Sequence, residues 1–242
     1  DLFGKKHPRR VLFLTVGTLL VLGVAAGFLA VQPAEPRVLF NGMIASDPFA
    51  IFWKWLFIMA AGLTVLIATR STEFGREQIG VFYPLLLSIV LGMFLMASTV
   101  DLLMMYLAVE LVSLVSYALA GYRKGDRKAG EAALKYVIYG GVASGIMLFG
   151  MSYIYGITGS TSLLGLGQAL NGASASAFGV SQSALRLTLA LAVIFVLSGI
   201  GYKIASVPWH MWCPDVYEGA PTPFTAFLSV GPKAEGFALA VR

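Results

Sequence analysis

Long apolar stretches separated by short polar connections dominate the chain. Each stretch has about the 20 mostly apolar residues that a helix needs to cross a membrane. Strands of a membrane barrel would alternate apolar and polar residues with a period of two, and these stretches do not. The sequence therefore predicts an all-α, polytopic transmembrane bundle that forms a single membrane domain over residues 1–242. The predicted segments are 11–32, 49–69, 80–99, 101–121, 132–155, 184–206 and 222–241.

The composition supports a membrane protein and excludes several other classes. Hydrophobic residues make up 58% of the 242 residues and charged residues 12%, whereas soluble domains carry about 25% charged residues. The single Cys213 excludes an intrachain disulfide framework and a cysteine-cluster metal site. The net charge of +5 does not indicate nucleic-acid binding, because the basic residues lie in short loops without an interleaved stacking platform.

Lysine and arginine concentrate in alternate connections, which predicts the orientation in the membrane. Arg37 is the only lysine or arginine in the intervening connections. This bias in positive charge places residue 1 on the cytoplasmic side or its organellar equivalent. The basic residues of the favoured side are Lys5, Lys6, Arg9, Arg10, Arg70, Arg76, Arg123, Lys124, Arg127 and Lys128.

The start of the chain resembles a signal peptide, because GKKHPRR precedes an apolar stretch. That stretch, 11–32, is longer than the 7–15 residues of a signal-peptide core, which favours a spanning helix. The chain begins with Asp1 and stops at Arg242, close behind an apolar stretch. We therefore expect it to be a fragment of a longer subunit.

Glu110 is the most conspicuous charge, near the middle of LLMMYLAVELVSLVSYALAG. At helical spacing its face carries Tyr106, Ser113 and Tyr117, which form a polar stripe on an apolar helix. Carboxylates at that depth are costly and usually functional. The alternative is a structural glutamate hydrogen-bonded to a neighbouring helix.

Two lysines follow on later segments. Lys135 has Glu131 four residues before it, so a surface ion pair is as good an interpretation as a function. Lys203 follows a long apolar stretch and is preceded by Gly199 and Gly201, a pattern that predicts a broken helix. Burial disfavours the ammonium form, so modest changes nearby can move the proton of Lys203. The alternative is a lysine at a helix end that reaches the membrane surface.

The remaining candidates lie around the last predicted segment. Lys233 follows Pro232, which predicts a local irregularity, and Glu235 is expected to point to a different face of the helix. His210 is a candidate proton relay at the surface, although a hydrogen-bonded structural histidine is an equally good interpretation. Trp209 and Trp212 suit a membrane interface. No metal site is predicted, because no second histidine lies at ligand spacing.

Two further stretches have structural interpretations. Gly141 and Gly145 are a small-residue pair expected to support close helix packing. Residues 162–170, in a connection rich in Gly, Ser and Ala, are expected to form a short surface helix.

From these residues we form the hypothesis that one glutamate and three lysines on successive helices pass protons, because a charge shift on one group affects its neighbours. A proton on Lys203 is favoured by Glu110 and raises the cost of a proton on Lys233, because charges in lipid are weakly screened.

At these residues the sequence resembles a known family. EAALKYVIYGGVASGIMLFGMSYIYGITG and KIASVPWHMWCPDVYEGAPTPFTAFLSVGPKAEGFALAVR are similar to subunit N of the proton-pumping NADH–quinone oxidoreductase, respiratory complex I. The mitochondrial NADH dehydrogenase subunit two and subunit two of the photosynthetic NDH complex are similar too. The resemblance runs from about 47 to 242 and is most specific at VPWHMWCPDVYEGAPTP.

The resemblance implies an antiporter-like bundle with inverted repeats and broken helices. It implies a multi-pass subunit of a bacterial inner membrane, with an organellar membrane as the alternative. It implies that Glu110, Lys135, Lys203 and Lys233 carry proton translocation. It also implies that the chain binds no cofactor itself, while flavin mononucleotide, iron–sulfur clusters and quinone belong to partner subunits.

Three positions depart from the family's usual pattern. They are Trp209, Cys213 and Glu235, which stand where Phe, Thr and a small residue are common. An acid near Lys233 is expected to hold the proton of that lysine more tightly. Two other functions stay open: a subunit of a multi-subunit cation/proton antiporter, and a structural membrane subunit whose buried charges merely pair.

Overall fold

The computed structural model describes residues 10–33, 35–172 and 181–242. Lys5, Lys6 and Arg9, which contributed to the predicted orientation, lie outside the described residues. Within the described residues the chain forms helices and one small hairpin. In chain order these elements are α1 (Arg10–Ala30), β1 (Arg37–Leu39), β2 (Ile44–Ser46), α2 (Pro48–Arg70), α3 (Arg76–Ser98), α4 (Leu102–Ala120), α5 (Arg127–Thr158), α6 (Leu163–Gly172), α7 (Gln182–Ile204), α8 (Trp212–Gly219) and α9 (Thr222–Val241).

Helices lie over all the predicted segments, and among the described residues six are long and apolar enough to span a membrane: α1, α2, α3, α4, α5 and α7. Helix α9 occupies the range of the last predicted segment but is not one of the six. It buries Phe224, Phe227 and Leu228 inside the bundle. The division into seven spans stays a prediction. Helix α6 occupies the place of the expected short helix at 162–170.

The hairpin is a small departure from the all-α prediction. Strands β1 and β2 pair antiparallel, with Arg37 opposite Ser46 and Leu39 opposite Ile44. Phe40, Asn41 and Gly42 take positive φ angles in the turn between them. The Asn41–Gly42 dipeptide is a typical hairpin-turn signal, and it was available in the sequence.

Short polar side chains begin several helices where the apolar stretches start. Asp47 Oδ1 accepts a hydrogen bond from Ala50 N at 2.8 Å at the start of α2. Asp126 Oδ1 accepts one from Lys128 N at 2.9 Å at the start of α5. Ser181 accepts one from Ala184 N at 3.2 Å at the start of α7. These caps satisfy backbone donors that a helix cannot satisfy itself.

The connections between helices alternate between the two ends of the bundle. At one end, the hairpin residue Ile44 bridges Thr99, and Asp101 bridges Ser162. At the opposite end Glu73 accepts a hydrogen bond from Thr222 N at 2.9 Å, and Arg123 Nη1 lies 3.7 Å from Glu73 Oε2. The basic α2–α3 and α4–α5 connections therefore share one end, as the alternation of charge in the sequence requires.

The helix interruption lies after Lys203 and not at the glycines that predicted it. Helix α7 is continuous through Gly199 and Gly201 and ends at Ile204, where Ala205 takes a left-handed conformation. A Cβ at Gly199 would lie 2.5 Å from Met147 Cβ, and one at Gly201 would lie 2.7 Å from the Trp209 ring. These glycines therefore allow close packing. Helical structure resumes only at α8.

The expected packing role of Gly141 and Gly145 is not found between described elements. A Cβ at either position would meet nothing within 4 Å. The close approaches of α5 occur on another face, where a Cβ at Gly150 would lie 2.6 Å from Ala192 O of α7. A Cβ at Gly140 would collide with the hydroxyl of Tyr117 on α4.

Candidate functional site

Lys203 lies in the last turn of α7, and its side chain turns into the bundle. The residue is 7% exposed, and its Nζ donates a hydrogen bond to Val109 O of α4 at 3.3 Å. The same Nζ lies 3.5 Å from Glu235 Oε1 of α9. The ammonium is thus held between two other helices, which does not match a lysine that reaches toward the membrane surface.

Glu235 is fully buried and faces Lys203, not Lys233. Neither of its carboxylate oxygens accepts a hydrogen bond from the described residues. The sequence predicted that Glu235 points to a different face from Lys233, and its ion-pair partner is Lys203. The expected effect of Glu235 on the proton of Lys233 stays a prediction. An acid inside an apolar helix was itself a functional signal. Its partner depends on how α7 crosses α9, which no local spacing reveals.

Glu110 lies half-buried on α4, next to the carbonyl that Lys203 contacts. Its Oε1 is buried and has no hydrogen-bond partner among the described residues. Tyr106 and Tyr117 of the predicted polar stripe lie within its electrostatic reach. Ser113 donates a hydrogen bond to Val109 O at 2.7 Å, so part of the stripe is used within α4.

A small cavity adjoins Lys203 on the side of α4 and α5. Its volume of about 10 Å³ is near the lower limit for one water molecule. Its hydroxyl groups come from Ser113, Ser144 and Tyr202. Ser144 Oγ also donates a hydrogen bond to Gly141 O at 3.3 Å. Of the polar stripe predicted around Glu110, Ser113 is the residue that lines this cavity.

An aromatic cluster of Tyr117, Tyr136, Tyr202 and Trp212 fixes the positions of α4, α5, α7 and α8 beside this cavity. Tyr136 and Trp212 stack with ring centroids 4.7 Å apart. Tyr202 Oη donates to Tyr136 O at 3.2 Å, and Trp212 Nε1 donates to Tyr202 O at 3.2 Å. Trp212 is buried, so its predicted place at a membrane interface is wrong, whereas Trp209 is 38% exposed.

Lys135 lies at the mouth of the bundle, away from the buried pair. Its Nζ is 2.8 Å from Glu131 Oε1 and 2.7 Å from Asp215 Oδ2 of α8. The predicted Glu131–Lys135 pair is therefore present, and Asp215 adds a second acid. Nearby, Lys128 Nζ lies 2.6 Å from Glu218 Oε1. These pairs join α5 to α8 on an exposed surface.

The last two candidates, Lys233 and His210, have contacts and exposure of their own. Lys233 Nζ is positioned over the Tyr217 ring, 5.4 Å from its centroid. Helix α9 continues through Pro232, where a local irregularity was predicted. The side chain of His210 is exposed in the connection between α7 and α8. Within the described parts of the chain, no three His, Cys, Asp or Glu side chains are grouped to hold a metal ion.

In the part of the chain that the structure describes, six membrane-length helices packed together with buried charged side chains define a polytopic membrane protein with ionisable groups in its interior. The family described as NADH:quinone oxidoreductase/Mrp antiporter, transmembrane, matches residues 99–242, and the chain belongs to this family.

The known proteins that the chain resembles are more particular. It is 65% identical over 245 residues to the NADH-quinone oxidoreductase subunit N of Anaeromyxobacter sp. (strain Fw109-5), covering 100% of this chain and 46% of that protein. The chain thus spans about half the length of the curated relatives it matches. The resemblance to subunit N expected from the sequence is confirmed.

Two solved structures have the same fold. One belongs to respiratory complex I from Thermus thermophilus with bound aureothin. It matches with a TM-score of 0.77 and 35% sequence identity, and the match covers 96% of this chain and 48% of that chain. The other belongs to the Mrp complex from Dietzia sp. DQ12-45-1b: TM-score 0.70, 24% identity, 95% of this chain and 43% of the other. The second likeness concerns the fold alone. The prediction of an antiporter-like bundle is confirmed.

Proposed function

We propose that the chain forms part of a proton-translocating membrane subunit of NADH:quinone oxidoreductase, located in a bacterial inner membrane. The observation that carries the proposal is the lysine–carboxylate pair buried between α7 and α9. Ionisable groups inside membrane helices are expensive, and they characteristically belong to ion pathways. The identity of 65% to a subunit N supports this function over the alternatives.

Lys203 is the central proton carrier in this proposal. In its ammonium form it carries a proton, and nearby charges favour or disfavour this form. Glu110 exchanges protons with Lys203 in this proposal. Its buried Oε1 has no hydrogen-bond partner among the described residues, and Lys203 Nζ contacts the carbonyl of the preceding residue, Val109. Lys135 and Lys233 carry protons farther along the bundle. His210 relays protons at the surface, where its side chain is exposed.

The chain carries protons and performs no redox chemistry in this proposal. Flavin mononucleotide, iron–sulfur clusters and quinone act in partner subunits of complex I. Quinone reduction there drives the charge shifts here. The bilayer and the other membrane and peripheral subunits of complex I are the proposed partners.

The first test replaces Lys203 by Met in the full-length subunit. Membrane vesicles report NADH-driven quinone reduction and lumen acidification together, while blue native electrophoresis reports assembly of the complex. We expect the complex to assemble and acidification to fall sharply, because methionine fills the space but carries no proton. Lys54→Met is the matched control, since Lys54 lies beside Trp53 and Trp55 near the start of α2, the place of an interfacial anchor.

Wild-type turnover and acidification in Lys203→Met would refute the proposal. Loss of assembly in both Lys203→Met and Glu110→Gln, with normal pumping by whatever complex assembles, would support a purely structural subunit. The family also includes Mrp antiporters. Purification with small membrane partners alone, without redox subunits, would favour that second function.

A further inference from the structure

We propose that Glu235 is the counter-charge of Lys203, so that the central proton carrier is a lysine–glutamate pair built from α7 and α9. This inference rests on the proposed function and adds a residue to it. Glu235 Oε1 lies 3.5 Å from Lys203 Nζ, within ion-pair distance. Glu110, in contrast, forms no ion pair with Lys203 among the described residues.

Burial makes this pairing consequential. The Glu235 side chain is 0% exposed and the Lys203 side chain 8% exposed. A lone charge at either position would lack compensation, and removing one partner of a buried pair is strongly destabilising. The pair as a whole carries no net charge, which lowers its cost in the low-dielectric bundle.

Helix packing around Glu235 leaves Lys203 as the charged group that acts on its carboxylate. Among the described residues, Tyr136 of α5 is the other titratable group within electrostatic reach of Glu235, and Tyr136 itself is close to Tyr117 of α4 and to Cys213 and Tyr217 of α8. Gly236 allows the close approach, since a Cβ there would lie 2.6 Å from Ile204 and 3.3 Å from Lys203 Cβ. The helix crossing thus brings the acid against the lysine.

The pair gives Lys203 a local proton acceptor. An N–H bond of the ammonium breaks and an O–H bond forms on Glu235, which leaves a neutral amine beside a neutral carboxylic acid. Net charge is zero before and after this transfer. The carboxylate also compensates the charge of the ammonium group, which a neutral side chain in its place would not do.

Glu235→Gln in the full-length subunit of the assembled complex tests this role. Without the negative charge the ammonium form of Lys203 is uncompensated, so the alkaline limb of the pH profile of acidification should shift to lower pH by about one unit or more. Pumping should then recover on mild acidification. Pumping by Lys203→Met should not recover at any pH, because methionine cannot take up a proton. Glu35→Gln, an exposed acid in the α1–β1 connection, is the matched control and should keep the wild-type profile.

Two further variants keep the result decisive. Glu235→Asp keeps the charge and should retain most of the wild-type pH profile. If Glu235→Gln fails to assemble, the double variant Lys203→Met with Glu235→Gln should restore assembly, because neither buried charge is then uncompensated. Failure of the double variant to assemble would overturn the pairing.

A wild-type pH profile in Glu235→Gln would overturn the inference, provided that Lys203→Met still abolishes pumping. An equal loss at every pH would overturn it as well, because a merely structural role predicts that result. If Lys203→Met itself pumps normally, the proposed function fails instead. The two failures are therefore distinguishable.

Discussion

Gly140 shows how closely the side chains beside the cavity are fitted. A Cβ there would collide with the hydroxyl of Tyr117 and would lie 2.9 Å from Tyr202 Oη. Gly140 and Tyr202 both line the small cavity beside Lys203. A single added methyl group at this glycine would therefore disturb two tyrosines at once, while the next glycine in sequence has open space around it.

Gly140→Ala should destabilise the subunit by about 1–3 kcal/mol, because both tyrosine rings must move to accommodate the methyl group. The thermal midpoint of the detergent-purified complex measures this effect. Gly141→Ala is the matched control, since its Cβ would meet nothing within 4 Å. Alanine also suits a helix better than glycine, so the control should keep or slightly raise the midpoint. Equal midpoints in the two variants would contradict the packing argument.

Asp101 joins two elements at the end of the bundle that holds the hairpin. Its Oδ1 accepts hydrogen bonds from Leu103 N at 2.9 Å and Met104 N at 3.1 Å, which caps α4. Its Oδ2 accepts one from the Thr161 hydroxyl in the α5–α6 connection at 2.5 Å. One buried carboxylate thus fixes both the start of the helix that carries Glu110 and the connection after α5.

Asp101→Ala should cost about 1–2 kcal/mol through loss of the cap. It should also leave the Thr161 hydroxyl without this acceptor. Hydrogen exchange of the assembled complex should show faster exchange at the Leu103 and Met104 amides. Asp101→Asn keeps a capping oxygen and should preserve most of their protection. Unchanged exchange in Asp101→Ala would show that the cap does not hold the start of α4.

Helices could be predicted from the sequence because a membrane-length apolar stretch is a local property. The Glu131–Lys135 pair could be predicted for the same reason, since it depends on helical spacing. The depth of Glu110 in the membrane stays a prediction. The Lys203–Glu235 pair could not, because it depends on the crossing of α7 and α9. Trp212 was misplaced for a similar reason: its ring stacks on Tyr136, a contact set by α5 and α8 together.

The two ends of the whole bundle differ in charge and in structure. One end carries the hairpin and the contact of Arg242 with Asp47, where Arg242 Nη1 lies 2.6 Å from Asp47 Oδ2. The other carries the basic α4–α5 connection with Arg123 and Lys124. Paired acids offset some of this charge, since Arg123 Nη2 lies 3.0 Å from Asp126 Oδ2. Lys124 is exposed at that end, and its positive charge favours the cytoplasmic side of the membrane.

Surface labelling tests which end faces the cytoplasm. In a full-length subunit with Cys213→Ser, single cysteines are introduced as Lys124→Cys and, at the opposite end, Glu35→Cys; both positions are exposed. A membrane-impermeant maleimide should label the Lys124→Cys variant in inverted membrane vesicles and the Glu35→Cys variant in spheroplasts, because basic connections stay on the cytoplasmic side. Detergent-solubilised samples, in which both variants should react, control for accessibility. Labelling of Lys124→Cys in spheroplasts and of Glu35→Cys in inverted vesicles would contradict the predicted orientation. The exposed cluster of Lys135, Glu131 and Asp215 would then face away from the cytoplasm.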